Sequence, residues 1–220
     1  MKLEKKLEQH IQLLMERYHK LLGIRESIVE GYQIIENCYK NGGKLLIAGN
    51  GGSDSDANHI VGELMKKFMI DRPPDEELIR RMNEIDPFRG RILSEQLEQG
   101  LPAIALSNHS SLNTAFINDV DGLAIYAQQI LGYGNKGDVL LGISTSGNSK
   151  NIMNATVVAR AKGLKIVGLT GDDGGELAQV SDVAVKVPEN KTYMIQELHL
   201  PIYHCWCIML EDYFFGDKCD

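Results

Sequence analysis

The sequence predicts an α/β fold: a three-layer, doubly wound sheet of five parallel strands, preceded by an N-terminal helical hairpin. Three observations carry this. Five short runs, at 44–49, 102–107, 138–144, 164–171 and 183–188, are almost continuously apolar instead of alternating. Such runs are the mark of parallel strands buried on both faces. Segments of helical period lie between them, as parallel crossovers require. Small polar residues gather just after the strands, at the carboxyl ends where open α/β sheets bind ligands.

Leu3, Leu7, Ile11, Leu14, Tyr18 and Leu21 form one apolar stripe, which reads as an amphipathic helix over 2–22. A second helix, about Glu26 to Tyr39, stops at Asn41-Gly42-Gly43. KLLIAG (44–49) is the first strand, and Asn50-Gly51-Gly52-Ser53 leads into a helix over 55–68 carrying Ile60, Leu64 and Phe68. Residues 71–101 break the pattern with Pro73, Pro74, Pro87 and many charges, and read as an insertion of short helices. Asp75 is placed to cap the first of these. Their apolar faces, Leu78, Ile79, Met82 and Ile85, then Ile92, Leu93 and Leu97, suggest a cover over the site mouth. PAIALS (102–107) and DVLLGIS (138–144) are the next strands. A helix from about Lys150 to Lys162, the strand LKIVGLTG (164–171), a short helix, the strand VAVKVP (183–188) and a long helix over about 193–214 complete the chain.

At 220 residues the chain suits a single domain spanning 1–220. Its 43% hydrophobic and 24% charged residues argue against disorder. The 22 glycines have no three-residue period, which excludes collagen. A net charge of −7 without a basic stripe argues against nucleic acid as a partner. No run of 18 apolar residues is present and the N-terminus lacks a signal-peptide core, so neither membrane nor export is expected. Cys38, Cys205, Cys207 and Cys219 are too few and too irregular for a disulfide framework. Reduced thiols in the cytoplasm are the expectation.

Ser144-Thr145-Ser146-Gly147-Asn148-Ser149 lies between a strand and a helix. Free N–H groups and hydroxyls at a helix N-terminus can hold a phosphate, although the same residues also serve as an ordinary N-cap. The loop lacks the lysine of a P-loop and the spacing of a dinucleotide fingerprint. Gly49-Asn50-Gly51-Gly52-Ser53 forms a second turn in which glycines admit close approach of a ligand. His59 and Glu63, four apart, share a helix face and suit one metal or one substrate, or a plain surface pair. On the last helix, Gln196, His199 and His204 lie at different angles. The two histidines are about 140° apart, so both cannot enter one site. Geometry alone leaves open which one does. Pro201 is expected to kink this helix.

Together these segments resemble the phosphoheptose isomerases of the sugar-isomerase (SIS) superfamily, whose sheet is flavodoxin-like. The resemblance rests on AGNGGSDSDANHIVGEL (48–64), GDVLLGISTSGNSKN (137–151), GLTGDDGG (168–175) and IQELHLPIYH (195–204). It covers nearly all of the chain except 71–101. It implies a cytoplasmic homotetramer, with residues 1–43 in the subunit interface, that interconverts sedoheptulose 7-phosphate and D-glycero-D-manno-heptose 7-phosphate. Carried over, Ser144, Thr145, Ser146 and Ser149 hold the phosphate. Asn50 and Ser53, with Gly51, Gly52, Asn108, Glu63 and Gln196, line the sugar. Glu63 and His204 match the acid–base pair, and His59, Glu63, Gln196 and His204 match the ligands of one zinc per subunit. The resemblance thus prefers His204 to His199. Asn108 and Tyr193 replace two aspartates of the family pattern, and 71–101 exceeds its usual length.

An isomerase of this kind moves a proton between C1 and C2 through an enediol and needs a base, an acid and a means to polarise the carbonyl. Glu63 and His204 can act as free base and acid. Alternatively, both bind zinc, and the metal acts as Lewis acid while another group moves the proton. The rival class is a sugar-phosphate-binding protein or non-catalytic scaffold, like the replication-initiator-associating protein of the same superfamily, which lacks a histidine at the position of His204.

Overall fold

The computed structural model describes residues 3–216, so Cys219 lies outside it. The chain folds in the order α1 (Lys5–Arg17), α2 (Arg25–Lys40), β1 (Leu45–Gly49), α3 (Gly52–Met65), α4 (Glu76–Ile85), α5 (Pro87–Gln96), β2 (Ala103–Ala105), α6 (Ser110–Asp119), α7 (Ile125–Tyr133), β3 (Val139–Ser144), α8 (Lys150–Ala161), β4 (Lys165–Thr170), α9 (Gly175–Val180), β5 (Val183–Lys186) and α10 (Thr192–Phe215). The five strands pair in parallel in the order β2-β1-β3-β4-β5. Chain order reverses between β1 and β3, so the crevice at their carboxyl ends is the switch point where such sheets bind ligands.

Side chains alternate across each strand, and the alternation builds two cores. Leu45, Ile47, Val139, Leu141, Ile143, Val167, Leu169 and Val185 face α1, α2, α3 and α10. Leu46, Ala48, Leu140 and Ile166 face α7, α8 and α9. Strands β1 and β3 are buried at every position and β4 at all but Lys165, which is why they read as unbroken apolar sequence, while the edge strand β5 is only half-buried. Residues 110–133 form α6 and α7, helices not anticipated from the sequence. Alpha-helix α10 runs without interruption through Pro201. Its Ile202, Tyr203, Cys205, Trp206 and Cys207 are all buried. A helix apolar on most sides is one packed on most sides.

Two expectations are corrected. The N-terminal stripe is not one helix: α1 ends where Tyr18 leaves helical angles (φ −131°, ψ 70°), and a 3-10 turn follows over His19–Ile24. Three residues per turn still bring Leu21 round to the core. The stripe packs within the chain, where α1 meets α10, with Leu3 and Tyr18 only partly buried. The insertion is helical, as expected, and Asp75 caps α4 by accepting from Leu78 N–H (2.8 Å). Within the chain it does not close over the site: α4 and α5 pack chiefly on each other. Leu78, Ile85, Phe88, Ile92, Leu93 and Leu97 remain exposed.

The insertion is rooted by a buried ion pair. Arg72 and Glu211, whose side chains are both 0% exposed, meet at 2.7 Å. Glu211 also accepts from the backbone N–H of Phe68 (2.8 Å) and Met69 (2.7 Å). Arg72 donates to the carbonyls of Leu64 (2.9 Å) and Glu63 (3.2 Å), which are left open at the end of α3. The pair thereby fastens the C-terminus of α3 to α10. Breaking such a pair strands a buried charge, so Arg72→Ala is expected to lower unfolding free energy in urea by about 3–5 kcal/mol. Arg72→Met with Glu211→Leu should recover only part of that loss, because the Phe68 and Met69 N–H groups lose their acceptor.

His199 is wholly buried, with Nε2 3.2 Å from the Thr170 carbonyl. Burial pushes its pKa down from 6.5 to about 4. The unfolded chain therefore takes up this proton first. Stability is retained above pH 6.5 and falls as pH drops from 6.5 towards 4. Urea midpoints measured between these limits should slope less steeply in His199→Gln than in the wild type.

Candidate active site

The β1 and β3 exits flank the switch point and are tied together. Asn50 and Asn151 exchange side-chain hydrogen bonds of 3.0 and 2.8 Å. Tyr126 donates its hydroxyl proton to the Gly49 carbonyl. Gly51 takes φ +58°, which opens the turn into α3. Ser53 is buried, and its N–H bonds the Asn50 carbonyl at 3.1 Å.

In the β3 exit, Ser144 Oγ and Ser149 Oγ lie 3.0 Å apart, and Asn148 N–H donates to Ser146 Oγ (3.2 Å). Ser146 is exposed and Thr145 half-buried. The next exit braces this loop from below: Gly171 N–H bonds the Thr145 carbonyl (3.1 Å), and Leu177 N–H bonds that of Gly147 (2.9 Å). Gly147 (φ +66°) has no room for a Cβ, which would overlap the Gly174 carbonyl. Four hydroxyls thus stand at the N-terminus of α8, where an anion is favoured.

The second cluster lies further along α3 and α10. At their N-terminal ends Gln196 presses on Gly52, where a Cβ would overlap its Nε2. Two turns on, His59 Nε2 lies 3.2 Å from Glu63 Oε1 and 3.5 Å from His204 Nε2. The His59 and His204 rings meet edge to face at 4.8 Å and 87°. At their far ends stand Arg72 and Glu211. The two helices therefore run side by side in the same direction. A rise of 1.5 Å per residue sets His59 about 10 Å along the axis from Gly52. His204, not His199, enters the site, as the family pattern indicates. Burial above all, then the His59 ring, lowers the pKa of His204, against the pull of Glu63.

Asn108 stands exposed on the loop after β2, its N–H bonded to the Ala105 carbonyl (3.2 Å). That loop is held to α3 by Ser107, which donates to Asp54. Three residues of the site lie inside the motif segments but are given no role by the sequence: Asn151, Asp56 and Tyr203. Tyr203 donates to Asp56 Oδ1 (3.2 Å), and its oxygen is 3.1 Å from His59 Nδ1.

The donors expected for zinc are tested by their chemistry. No group of three His, Cys, Asp or Glu side chains among the described residues is already posed around one point for a metal ion. The donor types nevertheless suit one. Glu63 Oε2 is buried without a hydrogen bond, with only Lys66 Nζ near it at 3.7 Å. An imidazole lone pair facing a carboxylate oxygen at 3.2 Å is repelled by it, and a cation between them relieves the repulsion. His59, Glu63 and His204 fit the metal in kind, whereas Gln196, expected as a fourth ligand, lies against Gly52 about two turns away.

A family profile described as "SIS domain" matches residues 88–171, which include the serine-rich loop but neither His59 nor His204. The phosphoheptose isomerase of Shewanella sp. (strain W3-18-1) is 41% identical over 83% of this chain and 81% of its own length. The chain belongs to the phosphoheptose isomerase family. Solved structures of family members agree. That from Francisella tularensis is 29% identical with a TM-score of 0.73, over 94% of this chain and 97% of its own. That from Neisseria gonorrhoeae is 30% identical with a TM-score of 0.69, over 94% of each. The form of the serine loop depends on Gly147. Inorganic phosphate is expected to raise the melting temperature of the wild type, and Gly147→Ala, strained in φ and pressed against Gly174, is expected to abolish that rise.

Proposed function

We propose that the chain is an aldose–ketose isomerase acting on a phosphorylated seven-carbon sugar, with sedoheptulose 7-phosphate and D-glycero-D-manno-heptose 7-phosphate as its reactants. The observation that carries this reading is the meeting of His59, Glu63 and His204 across α3 and α10, helices that both begin at the sheet edge bearing the serine loop. The serine loop binds the phosphate through its hydroxyls and N–H groups. Binding energy gathered there, remote from the reacting carbons, positions the sugar for chemistry. The roughly 10 Å between turn and histidines along α3 suits a long, open-chain sugar.

Glu63 is the base for the carbon-bound proton: its Oε2 is buried with no hydrogen bond to release. His204, kept neutral by burial and by His59, exchanges protons with the C1 and C2 oxygens as the enediol forms and collapses. Asn50, Ser53 and Gln196 orient the hydroxyls between, and Gly51 and Gly52 let the sugar approach the backbone. The alternative keeps Glu63 and His204, with His59, as ligands of zinc: the metal would then supply carbonyl polarisation and another group would move the proton.

The same reading makes the chain one SIS domain working as a homotetramer. Exposed Leu13 and Leu200, together with the apolar side of α4 and α5, support burial against further copies. Buried thiols at Cys38, Cys205 and Cys207 suit the cytoplasm. No helix among the described residues is long and apolar enough to cross a membrane.

The test is to mix the purified chain with sedoheptulose 7-phosphate and follow the aldose by NMR. Product should appear, and Glu63→Gln and His204→Asn should each slow its formation by about 10²–10⁴-fold while melting normally. Tight binding of the sugar phosphate without product would favour the scaffold or binding-protein reading.

A further inference from the structure

His59 is gripped at both ring nitrogens. Nε2 faces Glu63 and His204, while Nδ1 faces the Tyr203 oxygen at 3.1 Å. A tyrosine hydroxyl has one proton to give. Tyr203 gives it to Asp56 Oδ1 at 3.2 Å, because an ionised carboxylate can only accept. Towards His59 the hydroxyl therefore offers a lone pair, and Nδ1 must carry the hydrogen. In the neutral ring that leaves Nε2 without a hydrogen opposite the Glu63 carboxylate (3.2 Å), a repulsion that a bound cation relieves, and Nε2–H donation to Glu63 is the competing tautomer.

The arrangement has little freedom to reverse. Tyr203 is 1% exposed, and its ring meets His59 edge-on at 5.6 Å and His204 at 5.0 Å. Asp56 Oδ2 is buried and bonds nothing, so no second donor draws the carboxylate away. Asp56 and His59 lie three apart on α3, and Tyr203 and His204 are neighbours on α10. The contact thus also sets the two helices in register at the level of the chemistry.

We infer that Asp56 and Tyr203 form a positioning relay that fixes His59 as the Nδ1–H tautomer and so aims its Nε2 lone pair at the point shared by Glu63 and His204. Neither residue touches the reacting atoms. The inference rests on the isomerase reading for its purpose, since a bare Nε2 is what a metal ion or a donating hydroxyl needs. Outer partners of this kind typically change metal affinity by about 10–100-fold.

Tyr203→Phe removes the hydroxyl and keeps the ring. In metal-free protein labelled with ¹⁵N-histidine, at about pH 8.5 where an ordinary imidazole is neutral, long-range ¹H–¹⁵N spectra report the tautomer of each ring. The His59 signal is assigned with His59→Gln. The wild type should show Nδ1–H, and Tyr203→Phe should show a mixture with Nε2–H. Zinc affinity, measured by chelator competition, should fall by about 10–100-fold in Tyr203→Phe with melting temperature nearly unchanged. Asp56→Asn, which lets an amide N–H donate to the tyrosine oxygen, should move the His59 equilibrium the same way. Nε2–H in the wild type, or a His59 tautomer and zinc affinity indifferent to both substitutions, overturns the relay. The spectra need no substrate. A chain that shows the tautomer shift yet makes no heptose phosphate refutes the isomerase reading and leaves the relay standing.

Discussion

The Arg72–Glu211 pair is the constraint on which the site depends. Alpha-helices α3 and α10 come from opposite ends of the sequence, and nothing local sets the height of one against the other. Three contacts do so. Gln196 lodges on Gly52 near the sheet edge, Tyr203 bridges Asp56 and His59 in the middle, and Arg72 with Glu211 closes the far end. The last is the stiffest, because a desolvated ion pair with every partner satisfied tolerates little sliding. One turn of slippage would move His204 by about 5.4 Å and dissolve its contact with His59.

The sheet was largely legible. Fully covered parallel strands must be apolar at every position, so five such runs could be found and ordered by inspection, with ends displaced by a residue or two. The histidine cluster was half legible. His59 and Glu63 share a face by helical arithmetic alone. The choice between His199 and His204 turns on which way α10 is rotated against the sheet, a tertiary fact. It came from the family pattern, and the Thr170 contact of His199 agrees with it. Asp56 and Tyr203 were opaque because each looks ordinary in its own helix and gains meaning only across the gap between them. The N-terminal stripe misled for a similar reason. Its length was set against one sheet layer, whereas the surface that receives it is the flank of α10.

The two parts of the site are built from unlike materials. The phosphate end consists of backbone held in unusual conformations, with Gly51, Gly147 and Gly174 all at positive φ. It is braced by neighbouring turns and depends little on side-chain identity outside the serines. The histidine end consists of side chains on two regular helices, where angle and height are fixed by packing.

The helical insertion leaves and rejoins the fold at a stapled base. Gln99 N–H bonds the Arg72 carbonyl (2.7 Å), its side chain bonds the Pro73 carbonyl (2.7 Å), and Leu101 N–H bonds the Leu64 carbonyl (2.9 Å). Whatever lies between Pro73 and Gln99 is therefore mechanically insulated from the histidines, as a flag is from the foundations of its pole. Closing a longer loop over a fixed base adds only about 0.6 kcal/mol per doubling of length. Evolution can lengthen, trim or redecorate this projection almost without reference to catalysis, and the crest becomes the part of the molecule most free to diverge between lineages while the helices beneath it stay still.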